Sequence, residues 1–338
     1  MATPTTMPPD NITNSTCDAE DPPADEWLDE IFADSSLTAW LIVIIVCTIV
    51  VFIFYVESII HIGLRVSHKG RRLSIFWILS MCPVYCIVSM IGFILPRGMV
   101  LCNVMAALFY AIGLYFFLAL ILYYYGGDEA AIMKMTDTEI PLLFCCKKPS
   151  ITLDEKCVFW FKITIGQFTV LRSGLLYLEA ILWMDGSLNL STISWTDASL
   201  YIYAITFVSA IVALWGLLML LYASKKHLYS YYITPKVWIM VFAMLISNLQ
   251  IVLLGILATT GALPCKKPFH TVSRANYWQS LLLTLEATAL FPIVLLYFRT
   301  KKGNVVGVLE VKGERPKKRR FYKKGGSSSS LYNTYTVL

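Results

Sequence analysis

Arg172 has the least ordinary surroundings of any residue in the chain. It sits near the centre of residues 158–183, VFWFKITIGQFTVLRSGLLYLEAILW, a stretch long and apolar enough to cross a bilayer. A cation at that depth costs at least about 2.5–3.5 kcal/mol on the gentlest insertion scale, so it normally faces a partner or a water-filled path. Glu179 follows two helical turns later on the same face, and Gln167 precedes it. Asn248 and Gln250 lie near the middle of residues 236–260, and Glu286 interrupts residues 276–298 with Gln279 two turns earlier. Glu57 closes the first apolar stretch. A guanidinium offers carboxylate or sulfate a planar, two-pronged fork. The chemistry these residues could perform is therefore recognition of an anion between apolar walls. The competing reading is internal neutralisation, with Arg172 paired to Glu179 or Glu286 and the amides bridging helices.

Catalysis is not expected. The chain has no phosphate-cradling loop, nucleophile constellation or paired His ligands, and its nine cysteines follow no metal-binding spacing. No cofactor or metal is expected either.

The elements that must position these residues follow from composition. The chain has 338 residues, 57% of them hydrophobic and 15% charged, with a mean hydropathy of +0.65. Soluble domains are about 45–50% apolar and about 25% charged, so the excess calls for a membrane. Stretches of the required length occur at 37–60, 73–95, 99–125, 158–183, 198–222, 236–260 and 276–298. The expected fold is an all-α membrane protein, a bundle of seven transmembrane helices.

Residues 1–36 carry no Lys or Arg, so the first span inserts as a signal anchor. Of the 28 Lys and Arg, 22 fall in segments 61–72, 126–157, 223–236 and 299–338, on one side of the membrane. By the positive-inside rule the N-terminus is outside and the C-terminus cytoplasmic. The net charge of +6 is thus a topology signal, and no nucleic-acid partner is implied.

This gives an external acidic arm over 1–36, a transmembrane domain over 37–298 and a polybasic cytoplasmic tail over 299–338, which rests on anionic lipid. Asn11, Asn14 and Asn189 head glycosylation triplets, all on the predicted outer side. Cys17 and Cys265 lie in external segments and can pair, with Cys102 the competing partner. Cys145-Cys146-Lys147-Lys148 suits palmitoylation beside the membrane, and unmodified buried cysteines are the alternative. Tyr123, Tyr124 and Tyr125 read as an interfacial aromatic belt, and Gly126-Gly127 as a helix C-cap. Pro83 is expected to kink the second span.

Several local patterns occur in a consistent order between about residues 40 and 300. They are Glu57 followed by Arg71-Arg72, Pro96-Arg97, Gly126-Gly127-x-Glu129-Ala130, Gln167-Phe168 with Arg172, Gln250, Cys265 and Leu-x-Leu-Glu286. In this set the chain resembles the organic solute transporter alpha and transmembrane protein 184 family. The resemblance implies a plasma-membrane carrier for facilitated, bidirectional movement of steroid-like anions such as bile acids. It also implies a single-span beta-type partner subunit, a cysteine-rich lipidated inner loop and a base at the position of Arg172. Here only Cys145 and Cys146 are adjacent in that loop. A homo-oligomer is a further assembly open to the chain, and a heptahelical receptor and a membrane-trafficking scaffold are the alternative functions. Against the receptor, Tyr125-Gly-Gly stands where an Asp-Arg-Tyr triplet is wanted, and the last span has no Asn-Pro-x-x-Tyr.

Overall fold

A computed structural model describes residues 24–136, 138–143, 146–185, 198–260, 262–263 and 271–299. Contacts divide the chain into Met1–Val306 and Gly307–Leu338, and every described residue belongs to the first unit. The apolar stretches become the long helices α2 (Ser35–Arg65), α3 (Lys69–Ile94), α4 (Met99–Tyr125), α6 (Cys157–Met184), α7 (Ala198–Lys225), α8 (Ile233–Thr259) and α9 (Thr271–Phe298). All seven are long and apolar enough to cross a membrane. At about 1.5 Å per residue each exceeds the roughly 30 Å hydrocarbon thickness, so their ends reach the headgroups.

Two short α-helices, two 3-10 turns (Pro96–Gly98 and Tyr229–Tyr231) and one pair of strands complete the elements among the described residues. Helix α1 (Ala24–Ala33) precedes the first span, and α5 (Asp128–Met135) follows α4. Strands β1 (Glu139–Leu143) and β2 (Cys146–Thr152) pair antiparallel, with Ile140 opposite Ile151 and Leu143 opposite Cys146. Helix α1 is a docked element within the stretch 1–36 that the composition marks as an acidic arm. Trp27 and Ile31 lie one turn apart, and both are buried against Leu37, Leu41, Phe93, Tyr277 and Leu281. The Trp27 indole N–H donates to the Phe93 carbonyl at 2.9 Å, fastening α1 to the end of α3.

Helix α3 is the centre of the packing, touching α4, α9 and α2. It runs through Pro83 as one helix. Its Trp77 stacks on Phe116 of α4, with ring centroids 5.4 Å apart. Helix α4 continues to α6 and α6 to α7, while α8 bridges α7 and α9, and α9 returns to α2. Lipid replaces water as solvent for the outward faces, which explains the exposed Ile42, Ile53, Phe207, Phe242 and Leu249.

The helices are held very unequally. In its most apolar stretch 56% of α3 is buried but only 17% of α8. Helix α8 is the least embedded span.

At the end where α2 finishes, α3 begins and α4 stops, the chain turns are built from specific chemistry. Gly126 and Gly127 adopt φ of +99° and +115°, a left-handed geometry that disfavours any side chain. Their amides donate back to the Tyr123 and Leu122 carbonyls at 3.3 and 3.0 Å, the paired bonds of a Schellman cap. Arg71 of α3 forks onto the same Tyr123 carbonyl at 2.9 and 3.2 Å, adding cationic donors to that helix end. This end carries the basic loops, and we call it the basic end.

Candidate functional site: a polar ladder and an apolar slot

Arg172 occupies the middle of α6 and faces α7. The two helices run antiparallel, and polar side chains meet along their seam. Gln167 donates to the Ser209 carbonyl at 3.1 Å and accepts from the Ser209 hydroxyl at 2.9 Å. Arg172 donates from Nη1 to Thr206 Oγ1 at 3.0 Å. Further along, Tyr203 OH stands 3.5 Å from Glu179 Oε1, the outer limit for a hydrogen bond. Gly216 allows this approach near the basic end, because a Cβ there would lie 2.5 Å from Thr164 Oγ1. On the other side of α6, Thr169 donates to the Ala111 carbonyl of α4 at 2.8 Å.

Among the described residues Arg172 makes no ion pair, with Glu179 or with Glu286. Glu286 instead accepts from the Gln250 amide, joining α9 to α8. Asn248 donates at 2.7 Å to Met244, one turn back on its own helix, so it does not bridge helices through that bond. Glu57 lies apart from all of these. It is half-exposed at the basic end and accepts both prongs of Arg299, at 2.7 and 2.8 Å. The sequence candidates thus separate into three groups: a ladder between α6 and α7, an amide–carboxyl pair between α8 and α9, and a fork joining the end of α2 to Arg299.

Between α3, α8 and α9 lies an apolar slot of about 40 Å³. Met81 and Tyr85 line it from α3, Met240 and Ala243 from α8, and Leu290 and Phe298 from α9, with Glu286 toward its far end. One face of α8 supplies its wall at Ile239, Met240, Ala243 and Ser247, ending at Gln250. Four residues before Met240 on that face is Lys236.

Sequence reasoning misses Lys236. Its place at the mouth of a span counts it with the bases of a loop, yet its side chain is fully buried. Its ammonium donates to Tyr124 OH at 3.0 Å and lies 4.7 Å from the Tyr124 ring centroid and 5.2 Å from that of Phe298. No acid pairs with it among the described residues. Tyr124 and Tyr125, expected in a belt, are buried too, and Tyr124 stacks on Tyr231 at 5.0 Å. The signal is present in the spacing 236, 240, 243, 247, 250, which puts the lysine on the face carrying Ser247 and Gln250.

Cys17, Cys265, Cys145, Asn11, Asn14 and Asn189 lie outside the described residues. Cys146 begins β2. Cys102 is a free thiol in α4.

Fold and site define a multi-pass membrane protein of the all-α class, with charged and amide side chains inside its helical spans. The profile of the organic solute transporter Ostalpha family matches residues 40–302, and the chain belongs to that family. It is 25% identical to organic solute transporter subunit alpha of Danio rerio over 252 residues, 72% of this chain and 77% of that protein. The Leucoraja erinaceus protein of the same name is 27% identical over 266 residues, 77% and 73% of the two chains. The Homo sapiens one is 24% identical over 276 residues, 80% of each. No solved structure matches the chain.

Proposed function

We propose that the chain is a facilitative, bidirectional carrier of amphipathic organic anions, such as bile acids and steroid conjugates, with Arg172 as an anion contact. One observation carries the reading. A guanidinium has five N–H donors, and Arg172 engages one protein acceptor among the described residues, Thr206. Donors left without acceptors at mid-membrane are costly. A carboxylate or sulfate entering between α6 and α7 would satisfy them bidentately, and the exposed Leu171, Val170 and Phe207 nearby offer apolar surface to its body. Glu179, two turns away, would act against a dianion and in favour of one negative charge.

We further propose an external, glycosylated N-terminus with Asn11, Asn14 and Asn189 as acceptors, a Cys17–Cys265 bridge, and lipidation at Cys145 and Cys146. The site is proposed to work at the plasma membrane. The relatives are named as alpha subunits, which supports a second, beta-type subunit as partner.

The test is uptake of a sulfated steroid at matched surface expression. Arg172→Ala is expected to lose most of the flux and Arg172→Lys to keep part of it. Unchanged uptake by Arg172→Ala would remove Arg172 from the mechanism. Flux in proteoliposomes containing this chain alone separates a sufficient carrier from one that requires its partner.

A further inference from the structure

We infer that Lys236 is a second anion-binding station, at the basic end of the slot between α3, α8 and α9, which takes the head group of a singly charged amphiphile whose apolar body lies in the slot. The inference rests on the carrier reading and adds a site on different helices from Arg172.

Four features carry it. Among the described residues the fully buried lysine has no acidic partner and is held by a hydroxyl and two aromatic faces. A buried ammonium without a counter-charge is expensive, and one purely structural hydroxyl bond offsets little of that cost. The lysine also stands one turn before Met240, on the face of α8 that walls the apolar slot. Phe298 lines the slot and at the same time faces the ammonium, so one ring separates the cation from the apolar space.

The dimensions suit an elongated body. Lys236 and Gln250 are fourteen positions apart on one helix face, about 21 Å at 1.5 Å per residue. An anion held at Lys236 would direct its body along Met240, Ala243 and Leu290 toward the Gln250–Glu286 pair. Glu286 at that far end disfavours a head group entering the wrong way round.

Finally, the structure is closed around this path. The slot holds about 40 Å³, whereas pockets for molecules of this class measure roughly 300 Å³ or more. Occupation therefore requires α8 to move away from α3 and α9 and Phe298 to swing aside. Helix α8 is the span with the least buried surface to lose.

The test compares two probes with one body: a radiolabelled steroid 3-sulfate and its parent 3-alcohol, bound to the purified full chain in nanodiscs. Wild type is expected to bind the sulfate about 10-fold or more tighter than the alcohol. Lys236→Met is expected to reduce that preference, and Lys236→Met together with Arg172→Met to abolish it, while Lys236→Met leaves the affinity for the alcohol unchanged, which also reports an intact slot. Lys236→Arg should restore part of it. If Lys236→Met keeps the full preference, the lysine is structural and the inference falls, while loss of preference in Arg172→Met alone would leave the carrier reading standing. If wild type binds neither probe, the carrier reading itself fails. Should Lys236→Met not fold, Tyr124→Phe decides, because it frees the ammonium from its hydroxyl. A sulfate preference held or raised in Tyr124→Phe supports the station, and its loss overturns it.

Discussion

Thr206→Val tests how Arg172 is held. The substitution keeps the shape of a buried side chain on α7 and deletes the hydroxyl that accepts from Nη1 at 3.0 Å. A hydrogen bond to a charged group contributes about 1.5–3 kcal/mol in soluble proteins, while side-chain bonds measured inside a membrane bundle average about 0.6 and reach about 1.7. Thr206 is the one hydrogen-bond acceptor Arg172 has among the described residues, so the coupling should lie near the upper membrane value, about 1.5 kcal/mol. A double-mutant cycle of Thr206→Val and Arg172→Met, read as reversible unfolding in mixed micelles, isolates it. Flux should behave differently from stability. Thr206→Val leaves the guanidinium and its open donors in place, so steroid-sulfate transport should change less than about 10-fold, far less than in Arg172→Ala. A coupling near zero would refute the hydrogen bond as the anchor of Arg172. Loss of flux in Thr206→Val as complete as in Arg172→Ala would refute the claim that the remaining donors serve the anion.

Two further outcomes follow from packing. Gly216→Ala places a Cβ 2.5 Å from Thr164 Oγ1 and 3.0 Å from its Cβ, so α6 and α7 must part. It should lose about 1–3 kcal/mol in the same unfolding assay, with partial recovery by Thr164→Ala, and a neutral result would refute the close approach. Trp27→Phe strands the Phe93 carbonyl and should cost about 1–3 kcal/mol, with faster proteolysis of α1 and unchanged flux, whereas unchanged proteolysis would show that the indole bond does not hold α1 in place.

The seven spans were legible because a run of about 20 apolar residues has few other uses. The Gly126-Gly127 cap was legible for an equally local reason, since the turn needs backbone angles that side chains resist. Partners across helices were not. In a bilayer the lipid face and the packed face are both apolar, so the pattern that orients a soluble helix is faint. It could show that Arg172 needs a partner but not that Thr206, rather than Glu286, would supply it. Lys236 was hidden by its position. A lysine at the mouth of a span counts toward orientation, and only neighbours 112 residues away in Tyr124 reveal that it is buried. Helix α1 escaped because a few apolar residues in a short acidic segment make no span, although the buried Trp27 and Ile31 suffice to dock one short helix.

The fork between Glu57 and Arg299 has a mechanical consequence. It ties the residue after Phe298 to the end of α2, 242 positions back in the chain, and α2 and α9 both pack on α3. These three helices therefore form a braced frame, with the ring of Phe298 mounted on its edge. Helix α8 is the leaf hung beside that frame, and Lys236 rides on the leaf. If the leaf swings as occupation of the slot requires, the cation travels, while the backbone that carries Phe298 stays behind and only its ring turns aside. A head group held by Lys236 would be carried past Phe298 without any rearrangement of the frame, so each crossing would spend the motion of one loosely embedded helix and no refolding of the bundle.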